Sequence, residues 1–538
     1  MNLRHTILLT TINAKWIHPS LALRLLKANL GPLEVQAEIR EFALHQPLPE
    51  KVEPVLAAHP RILGISVSIW NHTATVELLR ALTAIWDAGT VPKPVIILGG
   101  PEVSHVPMEG ELAGYADWIV RGEGEAVFRE LCAFLLERDG GGVPAEKAGE
   151  TAAESGRIRN VGPIAASSSS SEQIALLPSV KAVSGKLIEA RTVDLSAINS
   201  GYRLYTEEDL SRKLVYVEAS RGCPFGCEFC LSFLDRQVRE FPLDGFLGDM
   251  AALLERGARS FKFLDRTFNL DIARARTIME FFLERIGEAS QPGTAPEAET
   301  PIGNTRPPLY VHFEMVPMQF PPELRETLTR FPPGSLRLEV GIQTFNRSTA
   351  DLIGRPGNPD QELETLDFLW RSTNAIVHVD LIAALPGEDL DSFGAGFDRL
   401  WQTRPAAGTR PTPFPAAQPT GEIQLGILKL LPGTPIARHG KRYGMRYAPD
   451  PPYEALETAA LPAGSLDRVK NFARFWELIV NRSAFPDLTS ALFPEGQPVF
   501  RRFMAMADWL LARFGRNWGI DRRDLRAAVE EYYSSFSK

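Results

Sequence analysis

Leu214-Val-Tyr-Val-Glu-Ala219, followed three residues later by Cys223-Pro-Phe-Gly-Cys227-Glu-Phe-Cys230, is the stretch that decides how the rest of the chain is read. A strand-forming run leads directly into a loop that holds three of the chain's four cysteines, spaced C-x3-C-x2-C. Thiolates are soft ligands suited to iron–sulfur clusters. Three of them on one tight loop leave one iron of a four-iron cubane without a protein ligand. An open iron can bind and reduce a substrate, whereas a fully ligated cluster mainly passes electrons. A structural zinc site asks for four ligands, usually in two pairs, and no second Cys or His pair lies near. A disulfide suits an intracellular type of chain poorly. The fourth cysteine, Cys132, sits in the apolar helical pattern Ala126–Leu136 and reads as a small buried core residue.

Composition narrows the class. The chain has 538 residues, an ordinary 44% of apolar residues and a net charge of −8. The length suggests several domains, and the acidic balance argues against a general nucleic-acid-binding surface. No apolar run approaches the ~20 residues of a membrane helix. Ile7-Leu-Leu-Thr-Thr-Ile12 is too short for a signal-peptide core and lacks a cleavage site, so it reads as a first buried strand. A cytoplasmic protein is expected, which suits an oxygen-sensitive cluster.

Outward from the cysteine loop, the chain divides into four parts. Residues 1–138 alternate strands (Thr6–Ile12, Val35–Phe42, Ile62–Ile69, Val95–Leu98, Asp117–Val120) with amphipathic helices such as Ser20–Leu30 and Thr73–Trp86. Continuous apolar strands between helices predict a doubly wound α/β domain with a parallel sheet, which binds ligands at the carboxyl ends of its strands. Residues 139–210 read as a linker. Its first part, with Gly140-Gly-Gly and Ser167–Ser171, is of low complexity; about 176–210 is a more ordered connector. Residues 211–445 carry strands Leu214–Ala219, Ser260–Leu264, Leu309–Met315, Leu336–Gln343, Ile376–Ala383 and Glu422–Leu431, with helices such as Phe246–Arg256 and Ile272–Arg285 between them. Six such units predict a partial (β/α)6 barrel rather than the full eight. Gly287–Arg306 and Arg404–Gly421 read as surface insertions. Residues 446–538 are expected to form a helical C-terminal domain, from the apolar spacing of Leu466–Asn481 and Val499–Phe514. Its Arg474, Arg501, Arg502 and Arg513 read as a solvated helix face.

The cysteine loop resembles that of the radical S-adenosylmethionine (SAM) enzymes. The resemblance implies that Cys223, Cys227 and Cys230 hold a 4Fe–4S cluster as both metal ligands and catalytic centre. It implies that SAM chelates the free iron and is cleaved reductively to a 5′-deoxyadenosyl radical. Phe229, before the last cysteine, is then expected against the adenine. Gly222 and Gly226 are expected to let the loop fold tightly. Asp265, in Phe263-Leu-Asp-Arg-Thr-Phe-Asn269, stands where the family has a glycine-rich acidic motif for the methionine amino group, although the glycines are missing. Glu314 and Gln343 are polar residues at strand ends, where barrel sites are built. Each either touches the cofactor's ribose or carboxylate or caps a helix. Leu385-Pro-Gly-Glu388 and Leu431-Pro-Gly-Thr-Pro435 also recur in the family and read as turns.

The first domain resembles the cobalamin-binding domain often joined to radical SAM barrels. Gly64-Ile-Ser66-Val-Ser68, Leu98-Gly99-Gly100-Pro-Glu102 and Val120-Arg-Gly122-Glu123-Gly-Glu125 carry the likeness, each at a strand's carboxyl end. Ser66, Ser68, Gly99, Gly100, Gly122 and Glu123 are the candidate cobalamin contacts, the glycines admitting close approach of a large ligand. Cobalamin domains that ligate cobalt through histidine carry D-x-H-x-x-G after the first strand. Here Asn13-Ala-Lys-Trp-Ile-His18-Pro-Ser-Leu21 keeps the histidine alone, and a lone His reads as structural or solvent-facing.

Together the likenesses imply a cobalamin-dependent radical SAM enzyme that abstracts hydrogen from an unreactive C–H bond and delivers a methyl group to carbon. The expected partners are a small-molecule or peptide substrate and an electron donor such as flavodoxin or ferredoxin, with neither membrane nor nucleic acid. Two alternatives stand. A transfer-RNA methylthiotransferase would carry a second three-cysteine cluster in the first domain, which here has only Cys132. A non-catalytic iron–sulfur or cobalamin sensor would bind the cluster without cleaving SAM.

Overall fold

A strand with no polar alternation must be covered on both faces, and β1 (Ile7–Asn13) shows this: Ile7, Leu8, Leu9 and Ile12 are all buried. The structure, a computed structural model, describes residues 6–89, 91–105, 110–138, 168–289, 309–404, 421–482, 484–493 and 497–536. They form two compact units, Met1–Val217 with Asp244–Ala258, and Glu218–Leu243 with Arg259–Lys538.

In the first unit β1, α1 (Leu21–Ala28), β2 (Ala37–Ala43), α2 (Leu48–Ala58), β3 (Ile62–Ser66), α3 (His72–Asp87), β4 (Val95–Gly99), α4 (Glu111–Tyr115), β5 (Trp118–Arg121) and α5 (Gly124–Arg138) alternate as expected. The five strands are parallel in the order β2-β1-β3-β4-β5, so the sheet changes its direction of growth between β1 and β3. One apolar cluster joins Leu8, Ile12, Leu63 and Ile65 to Leu79 of α3. The other joins Ile7, Leu9 and Ile97 to Val127 and Leu131 of α5. Cys132 is fully buried in the second, and burial raises its thiol far above the ordinary value. β2 starts later than expected. Gly31 has a φ of +59 and Pro32 follows it, so Gly31–Gln36 coils into a 3-10 turn that leaves Val35 exposed.

Of the segment read as a linker, residues 139–167 lie outside the described residues. The rest is ordered. After α6 (Ser168–Ile174), β6 (Val180–Ser184) and β7 (Leu187–Ala190) extend the first sheet to seven strands. β7 runs parallel to β5, and β6 lies antiparallel at the edge. α7 (Glu207–Arg212), β8 (Val215–Val217) and α8 (Leu243–Glu255) complete the first unit.

In the second unit the cysteine loop springs from a two-stranded clasp, β9 (Ser220–Arg221) against β10 (Arg239–Glu240). There follow β11 (Ser260–Phe263), α9 (Ile272–Ala289), β12 (Tyr310–Met315), α10 (Pro322–Thr329), β13 (Leu336–Gln343), α11 (Arg347–Leu352), α12 (Pro359–Ser372), β14 (Ile376–Ala383), α13 (Leu390–Thr403) and β15 (Gly421–Ile427). β11 to β15 are parallel and adjacent in chain order. With β8, the chain makes the six strands expected between 211 and 445. The strict alternation of β13 sets two faces. Leu336, Leu338, Val340 and Ile342 are buried, while Arg337, Glu339, Gly341 and Gln343 share the opposite face. The expected insertions fall largely on 290–308 and 405–420, outside the described residues.

The helical end, α14 (Ala463–Trp476), α15 (Pro486–Leu492), α16 (Phe500–Phe514) and α17 (Arg522–Phe536), is built onto α13 and β15. Phe397 of α13 meets Phe472 and Trp476 of α14 and Phe500 of α16 at ring-centroid distances of 4.8 to 5.7 Å. Asp398 accepts from the backbone N–H groups of Val499 and Phe500 at 2.6 and 2.7 Å and so holds the start of α16. Glu477–Asn481 is a π-helical turn. It aims the buried Asn481 amide at edge strand β15, where it accepts from Ile423 N–H at 3.1 Å and donates to Ile423 C=O at 3.0 Å. The terminal arginines are paired: Arg501 with Asp391 and Arg513 with Glu531, both at 2.8 Å. No described helix is long and apolar enough to cross a membrane.

Candidate active site

The cysteine loop closes because Gly222 can take a φ of +89; a Cβ there would lie 2.2 Å from Gln237 O. Gly226, expected to matter in the same way, does not: a Cβ there would meet nothing closer than 3.7 Å. Between the last two cysteines the buried Glu228 ties the loop down. Its carboxylate accepts from Arg438 Nε and pairs with His439 Nε2, both at 2.9 Å. Its N–H donates to Ile353 O at 2.9 Å, and its C=O accepts from Ile436 N–H at 3.1 Å. Sequence reading missed Glu228, since its partners lie some 200 positions away.

Cys223 and Cys227 are buried and Cys230 half-buried. Their sulfurs are not gathered to one point: among the described residues no group of three metal-binding side chains is placed to hold a single ion. Each sulfur has a donor beside it. Thr267 Oγ1 lies 3.4 Å from Cys223, the Ser232 N–H donates to Cys230 at 3.4 Å, and Arg355 Nη1 donates to Cys227 at 3.8 Å. Burial lifts the free Cys227 thiol above its ordinary pKa, against the pull of Arg355.

The loop stands over a cavity of about 180 Å³ at the carboxyl ends of β11 to β14. Phe229, Glu314 and Gln343, three of the sequence candidates, line it together with all three cysteines. Gln343 is held at a φ of +72, and its buried Oε1 has no hydrogen-bond partner among the described residues. Backbone strain with an unpaired polar atom is the mark of a binding position. Gly341 makes room for it, since a Cβ there would lie 2.5 Å from Gln343 Nε2. Burial raises Glu314, with Arg266 opposing at 3.7 Å.

Asp265, expected at the methionine amino group, is not in the cavity wall. Its carboxyl is buried and accepts from Ala219 N–H at 3.0 Å and Ser220 Oγ at 2.6 Å, so it orients the start of the cysteine loop. Burial pushes it up to about 6 despite those bonds. Its neighbours Arg266 and Thr267 face the cavity instead. Glu339, Arg355 and Asp380 also line it. The motif reading passed them over, although Glu339 and Asp380 fall on the in-facing parity of β13 and β14.

Below the cavity the same face carries a ladder of charge. Glu339 bridges Lys262 and His312, each at 3.2 Å, and His378 bridges Glu422 at 2.8 Å and Asp380 at 3.2 Å. Burial disfavours charge on His378, but Asp380 and Glu422 overcome it and raise the imidazole to about 10.

At the mouth of the first sheet the candidates are spread among different tasks. Gly100 takes a φ of +100 because a Cβ would lie 2.4 Å from Val67 O; the turn packs on its own sheet rather than making room for a ligand. Ser66 offers its C=O to Thr11 Oγ1 at 2.8 Å, and Ser68 forms a capping box with Asn71. Gly99 ends β4, and Gly122, with a φ of +95, turns the chain after β5. Glu123 accepts from Val193 N–H at 2.9 Å. His18 Nδ1 is 2.9 Å from the Tyr216 hydroxyl, so the ring has a structural partner. What the mouth offers is apolar surface: Trp16 and Ile17 after β1, Leu44 after β2 and Trp70 after β3 are all exposed. Trp16 also carries the cationic groups of Arg212 and Lys213 over its ring, at 5.6 and 4.9 Å.

The fold is thus a doubly wound unit followed by a cysteine loop over the strand ends of a second parallel sheet. Comparison with known proteins agrees. Residues 7–132 match the family described as B12 binding domain. An uncharacterized methyltransferase of Pyrococcus horikoshii is 29% identical over 213 residues, 37% of this chain and 41% of that protein. The cobalamin-dependent radical SAM methyltransferase TokK of Streptomyces tokunonensis is 22% identical over 434 residues, 79% of this chain and 54% of its own length. The chain thus spans about half the length of the curated relatives it matches. Among solved structures, the cobalamin-dependent SAM radical enzyme OxsB, with aqua-cobalamin and SAM bound, superposes with a TM-score of 0.58 at 15% identity, over 99% of this chain and 75% of that one. The radical SAM methyltransferase TsrM of Kitasatospora setae, with cobalamin and an iron–sulfur cluster bound, gives 0.51 at 17% identity, over 83% and 78%.

Proposed function

We propose that this chain is a cobalamin-dependent radical SAM enzyme that methylates an unactivated carbon of a small-molecule or peptide substrate. The observation that carries the reading is the thiolate triad set over a cavity walled by Phe229, Glu314 and Gln343. Cluster and SAM supply hydrogen abstraction by a 5′-deoxyadenosyl radical, and cobalamin supplies a transferable methyl group. Cys223, Cys227 and Cys230 hold three irons. Phe229 offers an apolar wall to the adenine. Arg266 and Arg355 provide positive charge for the methionine carboxylate, and the unpaired Gln343 amide a hydrogen bond to the ribose. Trp16, Ile17, Leu44 and Trp70 give cobalamin an apolar seat. Flavodoxin or ferredoxin is the electron donor.

The test is anaerobic reconstitution with iron and sulfide, then incubation with SAM and dithionite. The wild type releases 5′-deoxyadenosine, as does Cys132→Ala, while each of Cys223→Ala, Cys227→Ala and Cys230→Ala releases none. A loaded wild-type cluster that leaves SAM intact points to a sensor instead.

A further inference from the structure

The three sulfurs differ in what stands beside them, and the difference is chemical. Cys230 receives the backbone N–H of Ser232, which no side-chain change short of proline removes. Cys227 faces a guanidinium at 3.8 Å that is also committed to the carbonyls of Gly341 and Ile342. Cys223 faces a hydroxyl, Thr267 Oγ1, at 3.4 Å. In a free thiol either atom of that last pair could carry the hydrogen. Once the sulfur is bound to iron it has no hydrogen to give, so Thr267 must donate.

We propose that Thr267 is a positioning residue that sets the reduction potential of the cluster through a hydrogen bond to Cys223. This rests on the proposed cluster site. Thr267 is itself 7% exposed, and the two residues after it are firmly anchored. Phe268, the next residue, stacks on Phe313 at 4.0 Å and donates its N–H to Glu314 O at 3.0 Å. Asn269 then grips Val316, accepting from its N–H and donating to its C=O, both at 2.9 Å. The hydroxyl is therefore presented by a loop that cannot swing away. Reduction adds one electron to the cluster and concentrates negative charge on its sulfurs. A hydrogen bond to sulfur is stronger in that state and so raises the potential. A donor at this position eases electron entry and leaves the open iron untouched.

The experiment is a redox titration of the reconstituted protein without SAM, following the reduced cluster by electron paramagnetic resonance. Wild type, Thr267→Ser and Thr267→Val are compared, with iron content and thermal melting recorded for each. Thr267→Val removes the donor at nearly constant volume. The expected result is a potential lower by about 59 mV, a tenfold shift of a one-electron equilibrium, as loss of one charge-assisted hydrogen bond implies. Thr267→Ser restores the wild-type value. Equal potentials in all three overturn the proposal. So does a Thr267→Val protein that melts normally but takes up no iron while Thr267→Ser loads fully, because the residue then serves assembly instead. Failure of the wild type to assemble any cluster would strike the site assignment, a separate result.

Discussion

The mouths of the two parallel sheets are built by opposite means. At the first, the motif residues are spent on the protein itself. Gly100 packs on Val67, Ser68 caps a turn, Glu123 holds residue 193, and His18 meets Tyr216. What remains for a ligand is exposed apolar surface. At the second, the motif residues are turned toward a cavity. Three cysteine sulfurs, an aromatic ring and an unpaired amide oxygen line one cavity. The interiors differ in the same sense. The first sheet is apolar on both faces, while the second carries a charge ladder below its cavity. A large ring cofactor offers broad faces that covered apolar area can hold at about 25 cal/mol per Å². A small charged one has to be held by ligation and charge, which fixes individual side chains.

If that contrast is right, a single atom added at the second mouth does most damage. Gly222→Ala puts a methyl group where Gln237 O already lies, at a φ that alanine avoids. The base of the cysteine loop must open, at a cost of about 2–4 kcal/mol. Iron content after reconstitution should fall by more than half. The same change at Gly226, which has room, should leave loading near normal. Equal loading by Gly222→Ala and Gly226→Ala would break the claim that this mouth is fixed atom by atom.

The charge ladder makes a weaker, pH-dependent difference. His378 has its ordinary pKa of 6.5 when unfolded and about 10 when folded. A raised pKa means that the folded state binds the proton more tightly. The resulting stability is complete below about pH 6.5 and is lost as pH rises through 10. The unfolding free energy should decline across that window by at most about 1.4 kcal/mol per pH unit. His378→Gln should flatten the decline in urea titrations at pH 7, 8.5 and 10. An unchanged slope would mean that Asp380 and Glu422 do not hold the proton on the ring.

The same contrast governs how much could be read from the sequence. Ligation leaves a local record, so the cysteine spacing picks out the loop that stands over the cavity, and Phe229, Glu314 and Gln343 line that cavity beside it. Apolar continuity placed β1 to β5 and the strands from β11 onward. Three kinds of feature escaped. Long-range ties such as Glu228 with Arg438 have no local signature. β6 hid because an edge strand needs little burial, and most of its residues are solvent-facing. Asp265 is the third, because a carboxylate beside a motif reads the same whether it faces a ligand or the loop's own backbone; only its hydrogen bonds from Ala219 and Ser220 show which way it is turned.

The smallest expected effect is at the first mouth, where no side chain is required to ligate. His18 is the residue there that sequence analogy would pair with cobalt, and its Nδ1 meets the Tyr216 hydroxyl. A ring held by a neighbouring side chain can ligate a metal only through its other nitrogen, and only if that pairing orients it toward the metal. Here the incomplete motif around His18 and the apolar seat both argue that cobalamin is held without it. Reconstituted with Co(II) cobalamin, wild type and His18→Ala should give the same electron paramagnetic resonance spectrum and bind the cofactor with affinities within about threefold. The change should instead register in melting, because the hydrogen bond between the His18 ring and the Tyr216 hydroxyl is lost at a cost of about 1 kcal/mol. Nitrogen superhyperfine splitting present in the wild type and absent from His18→Ala would show a histidine on the cobalt. The two mouths would then hold their cofactors alike, by ligation.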